Sequence, residues 1–226
     1  MEDKSKQIQS MFDNIAGKYD LLNRLLSFRR DVAWRRKAIK KMELIEDMLV
    51  LDLACGTGDM ILELKNQVSG VNVIGADFSK NMLSIAKQKG ITEPLLAADA
   101  HFLPFKENSF DRIMIAFGFR NVVDKQKGLE NLYRVLKPGG RLCILEFSQP
   151  EGVIFPKIYR FYFTKLLPFI GGLISGNKNA YSYLPDSVYK FPKKDVYKKM
   201  ILNAGFKEVK FNPMTFGICD ATICYK

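Results

Sequence analysis

Five short apolar runs, at 48–53, 71–76, 94–97, 112–117 and 141–147, are separated by segments of helical length at 57–67, 79–89 and 125–136. Strands that recur only after an intervening helix cross over and lie parallel, so the expected fold is α/β, a doubly wound, mostly parallel sheet. Lys137-Pro138-Gly139-Gly140 ends the third helix, since proline cannot continue it and glycine supplies a turn. A further helix at 193–203, punctuated by Gly205, precedes strands at 207–212 and 217–224, expected to close the sheet as an antiparallel hairpin. With 226 residues and 47% hydrophobic content, the chain can bury one sizeable core.

The first run opens into Val50-Leu51-Asp52-Leu53-Ala54-Cys55-Gly56-Thr57-Gly58-Asp59. Gly56 and Gly58 remove the side chains that would keep a ligand from the backbone. By itself a glycine-rich turn after a strand also suits dinucleotides, phosphates or a plain tight turn. In doubly wound sheets the ligand lies beyond the carboxyl ends of the strands, and an acid about 20 residues after the glycines takes a ribose diol. Asp77 ends the second run at that distance. The competing reading makes it a helix N-terminal acid, with Ser79 as the cap. Cys55, Cys143, Cys219 and Cys224 have no metal-ligand or paired spacing and no signal-peptide pattern precedes them, so a reduced cytoplasmic protein without a metal is expected.

Asp52 ahead of an ACGTG loop, in place of GxGxxG, resembles the class I S-adenosylmethionine-dependent methyltransferases, Rossmann-like folds in which that acid meets the cationic methionine part of the cofactor. Ala98-Asp99-Ala100, followed by Leu103-Pro104-Phe105, stands where that superfamily clamps adenine. The resemblance implies S-adenosyl-L-methionine held by Asp52, Ala54, Gly56, Thr57, Gly58, Asp77, Phe78, Asp99, Ala100 and Ala116. It narrows further. The segment 134–148, RVLKPGGRLCILEFS, the run Phe117-Gly118-Phe119-Arg120-Asn121-Val122, and Tyr19-Asp20-Leu21-Leu22-Asn23 with Leu26-Ser27 and Trp34 are similar to the C-methyltransferases of ubiquinone and menaquinone biosynthesis. The likeness runs from about residue 11 to the C-terminus, and departs where that family usually has His, Ser and His and this chain has Asp31, Ala116 and Thr222.

The resemblance implies methyl transfer to a ring carbon of a prenylated quinol, a carbon that becomes nucleophilic when a phenolic proton leaves. With a phenol pKa of about 10, ionisation at pH 7 costs about 4 kcal/mol. Arg120 is the candidate for stabilising the phenolate, as an oxyanion-hole donor does, with Asn121 adding a directed hydrogen bond. The competing reading is a structural arginine salt-bridged at a strand end. Tyr19 either positions the proton or is core. No residue declares itself as the base; His101, the single histidine, lies in the adenine segment.

The flanks address the acceptor's apolar tail. Ile8, Met11, Phe12, Ile15, Tyr19 and Leu22 recur at helical spacing, an amphipathic helix able to cover a cleft. Arg24, Arg29, Arg30, Arg35, Arg36, Lys37, Lys40 and Lys41 follow against the single acid Asp31, and the formal net charge is +11. Between Pro156 and Pro168, KIYRFYFTKLL sets Lys157, Arg160 and Lys165 opposite aromatics, a pattern that suits an interfacial helix or a pocket roof and is too short to span a bilayer. Residues 1–226 are therefore expected to form a single methyltransferase domain: a helical lid (1–45), a cofactor-binding core (46–150), a substrate- and membrane-facing insertion (151–190), and a C-terminal helix and strands (191–226). The expected location is cytoplasmic, at the inner face of an anionic membrane, with a homodimer as a candidate assembly. Two other readings stay open: the same fold acting on RNA or a small phenol, and a non-catalytic cofactor-binding protein. Against RNA, the chain has neither an Asn/Asp-Pro-Pro-aromatic motif nor a cysteine pair placed for C5 attack.

Overall fold

The computed structural model of the protein describes residues 2–150, 152, 155–170 and 178–226; the side chains of residues 2–6, 15, 18, 19, 22 and 178–182 lie outside that description. Helices α1 (Glu2–Leu26) and α2 (Arg30–Lys40) precede β1 (Leu49–Leu53). There follow α3 (Asp59–Gln67), β2 (Asn72–Asp77), α4 (Lys80–Gln88), β3 (Leu95–Ala97), β4 (Phe110–Ala116), a 3-10 turn at Phe119–Asn121, α5 (Lys125–Val135) and β5 (Leu136–Phe147). Helix α6 (Phe155–Phe161) continues through a π-helical turn at Tyr162–Leu166. Helices α7 (Lys178–Tyr189) and α8 (Lys194–Asn203) then lead to β6 (Glu208–Lys210), β7 (Pro213–Met214) and β8 (Cys219–Tyr225).

The sheet runs β3-β2-β1-β4-β5-β8-β6, with β7 paired to β8. Strands β1 to β5 are parallel, and β8 lies antiparallel between β5 and β6. The chain winds outward from β1 to β3 and then returns to the other side of β1, so a crevice opens where β1 and β4 end. Side chains alternate across the pleat: Val50, Met114 and Cys143 enter one apolar layer, and Leu51, Ile113 and Leu142 the other.

Every strand and helix expected within 48–147 is present, with ends shifted by a residue or two except at β5. There α5 runs into the strand without a turn: Leu136 already pairs with Phe110, and a register shift between Phe110 and Arg112, with Gly139 at φ 75°, absorbs Pro138. The C-terminal hairpin also differs in detail. A two-residue β7 interrupts the connection, and the returning strand β8, not β6, seats against β5, because Ala221 and Ile223 bury on one side while Cys224 enters the other layer.

The ends of β1 and β4 come together at one contact. Ala54 has φ 55°, and a methyl added to Gly118 would stand 2.4 Å from the Ala54 Cβ. Gly118→Ala must therefore push the two loops apart. We expect it to destabilise the protein by about 1–3 kcal/mol in denaturant titrations. Gly17→Ala is the control of opposite sign: a methyl there meets nothing in α1, and the helix gains about 1 kcal/mol of propensity.

Candidate active site

Beyond the strand ends lies a cleft of about 140 Å³. Ala54 and Gly56 line it from the β1 loop, Asp77 and Phe78 from β2, Asp99 and Ala100 after β3, and Ala116 and Asn121 from the β4 side, while Ile8, Gln9 and Phe12 of α1 form its roof. Gly56 has φ 56° and open space where a Cβ would stand, so backbone lies bare at the floor. The Asp77 carboxylate binds both neighbouring loops: Oδ2 accepts the Gly56 N–H and Oδ1 the Ser79 N–H, each at 2.8 Å. Burial raises its pKa, opposed by those N–H bonds. Each oxygen keeps a second lone pair, enough to take a vicinal diol. Ser79 meanwhile caps α4 by accepting the Met82 N–H at 3.1 Å, which leaves the remaining lone pairs of Asp77 free of the capping role.

Asp52 is fully buried, and neither carboxylate oxygen has a hydrogen-bond partner. Burial pushes its pKa well above the ordinary value, against the pull of Arg35. It does not line the cleft; nearby Asp77 and Asp59 add to the rise, so the carboxyl ionises more readily when a cation occupies the cleft. Thr57 and Gly58 also point elsewhere: the Thr57 hydroxyl donates to Asp20 on α1 at 2.6 Å, and a methyl on Gly58 would meet Ile91 at 2.8 Å. His101 lines the cleft with both ring nitrogens occupied. Its Nε2 accepts the Asp124 N–H at 3.0 Å, so the Nδ1 proton goes to Asp99 at 2.5 Å. That bonding leaves no free nitrogen for a base.

An ion-pair cluster holds α1 over the cleft. Asp59 accepts Arg24 at 2.8 Å and Lys89 at 2.7 Å, with Arg35 at 3.7 Å. Burial works against the Asp59 charge, but Arg35, Lys89 and Arg24 outweigh it and keep its pKa below the ordinary value. Lys89 also binds Asp20, and Asp31 receives both Arg24 and Arg35. Asp13 accepts the Ser79 hydroxyl and Gln9 donates to the Phe78 carbonyl. The run of basic residues at 24–41 is thus no uniform surface. Arg24 and Arg35 turn inward and Arg36 pairs with Glu63, whereas Arg29, Arg30, Lys37, Lys40 and Lys41 are exposed. Acids scattered through the sequence, Asp20, Asp31 and Asp59, converge on those inward guanidiniums.

A second cavity of about 590 Å³ adjoins the first, and Phe12 and Phe117 line both. Its walls are apolar: Met11 and Leu26 from α1, Trp34 from α2, Phe147 from β5, and Tyr159, Phe163 and Leu167 from the α6 segment. These last three, spaced four apart, are buried, while Ile158, Phe161 and Phe169 on other faces are exposed. The segment is both roof and outer surface. Arg120 and Asp31 also reach this cavity. The Arg120 guanidinium bonds Glu146 at 3.2 Å, the Phe117 carbonyl and, through Nε at 3.3 Å, the Ser187 hydroxyl. The salt-bridged strand-end arginine and the cavity arginine are therefore one residue. Asn121 lines the cofactor cleft and accepts the Tyr183 hydroxyl at 3.0 Å. The Tyr19 side chain lies outside the described residues. Thr222 is buried on β8 and bonds Asp220 at 2.9 Å. Sequence reasoning missed Glu146, Tyr183 and Ser187; the last two stand one helical turn apart in α7, a spacing that puts them on one face.

A buried, unpartnered carboxylate predicts its own test. Because the folded pKa of Asp52 is raised, folding takes up a proton, and the stability cost is absent below the unfolded value of about 3.9 and grows as pH rises toward the folded value. Asp52→Asn should raise the melting temperature of the ligand-free protein at pH 7, lose that advantage near pH 4, and bind a cationic cofactor more weakly in calorimetry.

The fold recurs in known proteins. Two solved structures share the fold: a SAM-dependent methyltransferase from Aquifex aeolicus (TM-score 0.61, 22% identity, covering 84% of this chain and 88% of that one), and a SAM-dependent methyltransferase, possible histamine N-methyltransferase, from Thermotoga maritima (TM-score 0.67, 20% identity, 96% and 99%). The chain is 51% identical over 212 residues to the demethylmenaquinone methyltransferase of Thermus thermophilus, covering 92% of this chain and 96% of that one. It is 48% identical over 225 residues to the ubiquinone/menaquinone biosynthesis C-methyltransferase UbiE of Geotalea daltonii, covering 96% and 95%. The model of the ubiE/COQ5 methyltransferase family matches residues 1–226, and the chain belongs to that family of S-adenosyl-L-methionine-dependent methyltransferases.

Proposed function

We propose that the protein methylates a ring carbon of a polyprenylated hydroquinone of the demethylmenaquinol kind, at the cytoplasmic face of an anionic membrane. The observation that carries the reading is the apolar cavity of about 590 Å³ sharing Phe12 and Phe117 with the cofactor cleft. A greasy, neutral acceptor fits such a space. A nucleic-acid base, whose edges need polar partners, does not.

When bound, S-adenosyl-L-methionine supplies an electrophilic methyl on a sulfonium. Asp77 would hold the ribose and Gly56 the bare floor, with Asp52 setting a negative field and Asp99 and Ala100 flanking the far end. Arg120 would face the acceptor with a cation fixed by Glu146, stabilising the charge that develops on the phenolic oxygen. The largely apolar walls of the cavity would strengthen that attraction. Alignment across the shared aromatic wall supplies the rest. In the neutral ground state the cation has little to bind, so its effect falls on turnover.

At the mouth, Phe28 (76% exposed), Ile158 (63%) and Leu166 (42%) both line the cavity and reach the surface, with exposed Phe161 beside them in sequence. Arg29, Arg30, Lys157, Arg160 and Lys165 are exposed in the same segments. Apolar side chains framed by cations suit an anionic interface from which a prenyl tail can enter. Among the described residues no helix is long and apolar enough to cross a membrane.

The deciding assay is methyl transfer to a panel of reduced quinones: methylation of demethylmenaquinol is expected, and activity confined to RNA or to small water-soluble phenols would overturn the reading. Arg120→Lys keeps the charge but loses the planar fork that reaches three partners; turnover should fall about 100-fold with cofactor affinity little changed. Raising the pH or acidifying the phenol should recover part of that loss. Replacing Arg29, Arg30, Lys157 and Arg160 together by Gln should abolish binding to vesicles containing acidic lipid. Binding of the unaltered protein should weaken as salt shortens the screening length below about 8 Å.

A further inference from the structure

Helix α7 presents two polar side chains to the end of the sheet. Ser187 accepts the Arg120 Nε–H at 3.3 Å, and the Tyr183 hydroxyl donates to Asn121 Oδ1 at 3.0 Å. Tyr183 itself lines the apolar cavity, whereas Asn121 lines the cofactor cleft. The phenol therefore bridges the boundary between the two spaces, and its single proton is committed to Asn121. What it has left to offer the cavity is its oxygen, as an acceptor.

Among the described residues, most of the oxygen and nitrogen groups lining this cavity are already engaged, and the Asn23 amide lines it from α1, on a different element from the turn that carries Arg120. Asp31 is bound by Arg24, Arg35 and Ser27. The Tyr162 hydroxyl donates to the Leu26 carbonyl at 2.7 Å, and Trp34 Nε1 donates to Thr215 at 2.8 Å. The Tyr159 hydroxyl is buried with no partner and no exposed surface. Arg120 can only donate. An acceptor molecule bearing hydroxyl groups needs an oxygen to receive a proton, and Tyr183 stands beside Arg120 and Asn121 to do so.

We infer that Tyr183 is a substrate-orienting residue, whose oxygen accepts the hydrogen bond of one hydroxyl of the hydroquinone while its own proton stays on Asn121. Tyr183 is not the base. Burial raises its pKa, with Glu146 adding to the rise and Arg120 opposing it, so the phenol stays protonated at neutral pH. Its part is to fix which way round the ring lies, and thereby which carbon faces the cofactor cleft. The inference rests on the quinol reading above.

The test compares the wild-type protein with Tyr183→Phe on a short-chain demethylmenaquinol and on its two monomethyl ethers, each of which has one hydroxyl blocked. Loss of one neutral hydrogen bond should lower kcat/KM on the diol about threefold to tenfold. S-adenosylmethionine affinity should stay put, and the melting temperature should fall only by the few degrees that the lost Tyr183–Asn121 bond accounts for. On the ether blocked at the oxygen that bonds Tyr183, the two proteins should turn over equally; on the other ether the deficit should persist. Tyr183→Gln, which keeps an acceptor, should recover part of the activity and serves should the Phe variant fold poorly. An equal deficit on both ethers, or no deficit on the diol, would overturn the inference while leaving the quinol reading intact. Failure of the wild-type protein to methylate the diol would overturn the quinol reading itself.

Discussion

The cluster around Asp59 is the interaction on which the rest of the site depends. Asp59 begins α3 directly after the cofactor loop, yet its partners come from α1 (Arg24), α2 (Arg35) and the end of α4 (Lys89). Such partly buried pairs contribute little to stability by themselves, because desolvation offsets much of the attraction. Removing one member leaves an uncompensated charge and costs far more, which makes the arrangement specific. What the cluster specifies is the position of α1, whose Phe12 walls both cavities. Without that helix in place the cofactor cleft has no roof and the acceptor cavity lacks a wall.

The sheet was legible because its signals are local. Short continuous apolar runs and a serine cap at Ser79 act within a few residues, and within β1 to β4 nothing tertiary overrides them. The β5 start was misread as a turn because Pro138-Gly139-Gly140 serves equally as a bulge, and only pairing with Phe110 decides between them. That Asp77, Ala54 and Gly56 stand at the crevice was likewise legible, since distance along a βαβ unit maps onto distance in the crevice. The ion-pair cluster was not: Asp20, Arg24, Asp31, Asp59 and Lys89 span 70 positions of chain, and no spacing rule relates them. For the same reason the 24–41 segment looked like one basic surface.

Arg120 shows why the two readings of a charged residue need not compete. An unpaired guanidinium in an apolar cavity would carry a large desolvation cost, so a cation there requires a counter-charge. Glu146 provides it, and accepts the Arg120 backbone N–H at 3.0 Å as well, fixing the 3-10 turn together with the side chain. Pairing lowers the long-range field of the cation but leaves guanidinium donors in fixed positions. A neutral hydroquinone meets no strong net charge on entry. A phenolate oxygen forming within reach of those donors meets fixed hydrogen bonds in a medium of low polarity, where they count most. On the function proposed above, the pair would admit a neutral acceptor and discriminate in favour of its ionised form. An unpaired arginine, by contrast, would prefer water or any stray anion, and would make a polar site of a cavity whose other walls are largely aromatic and aliphatic.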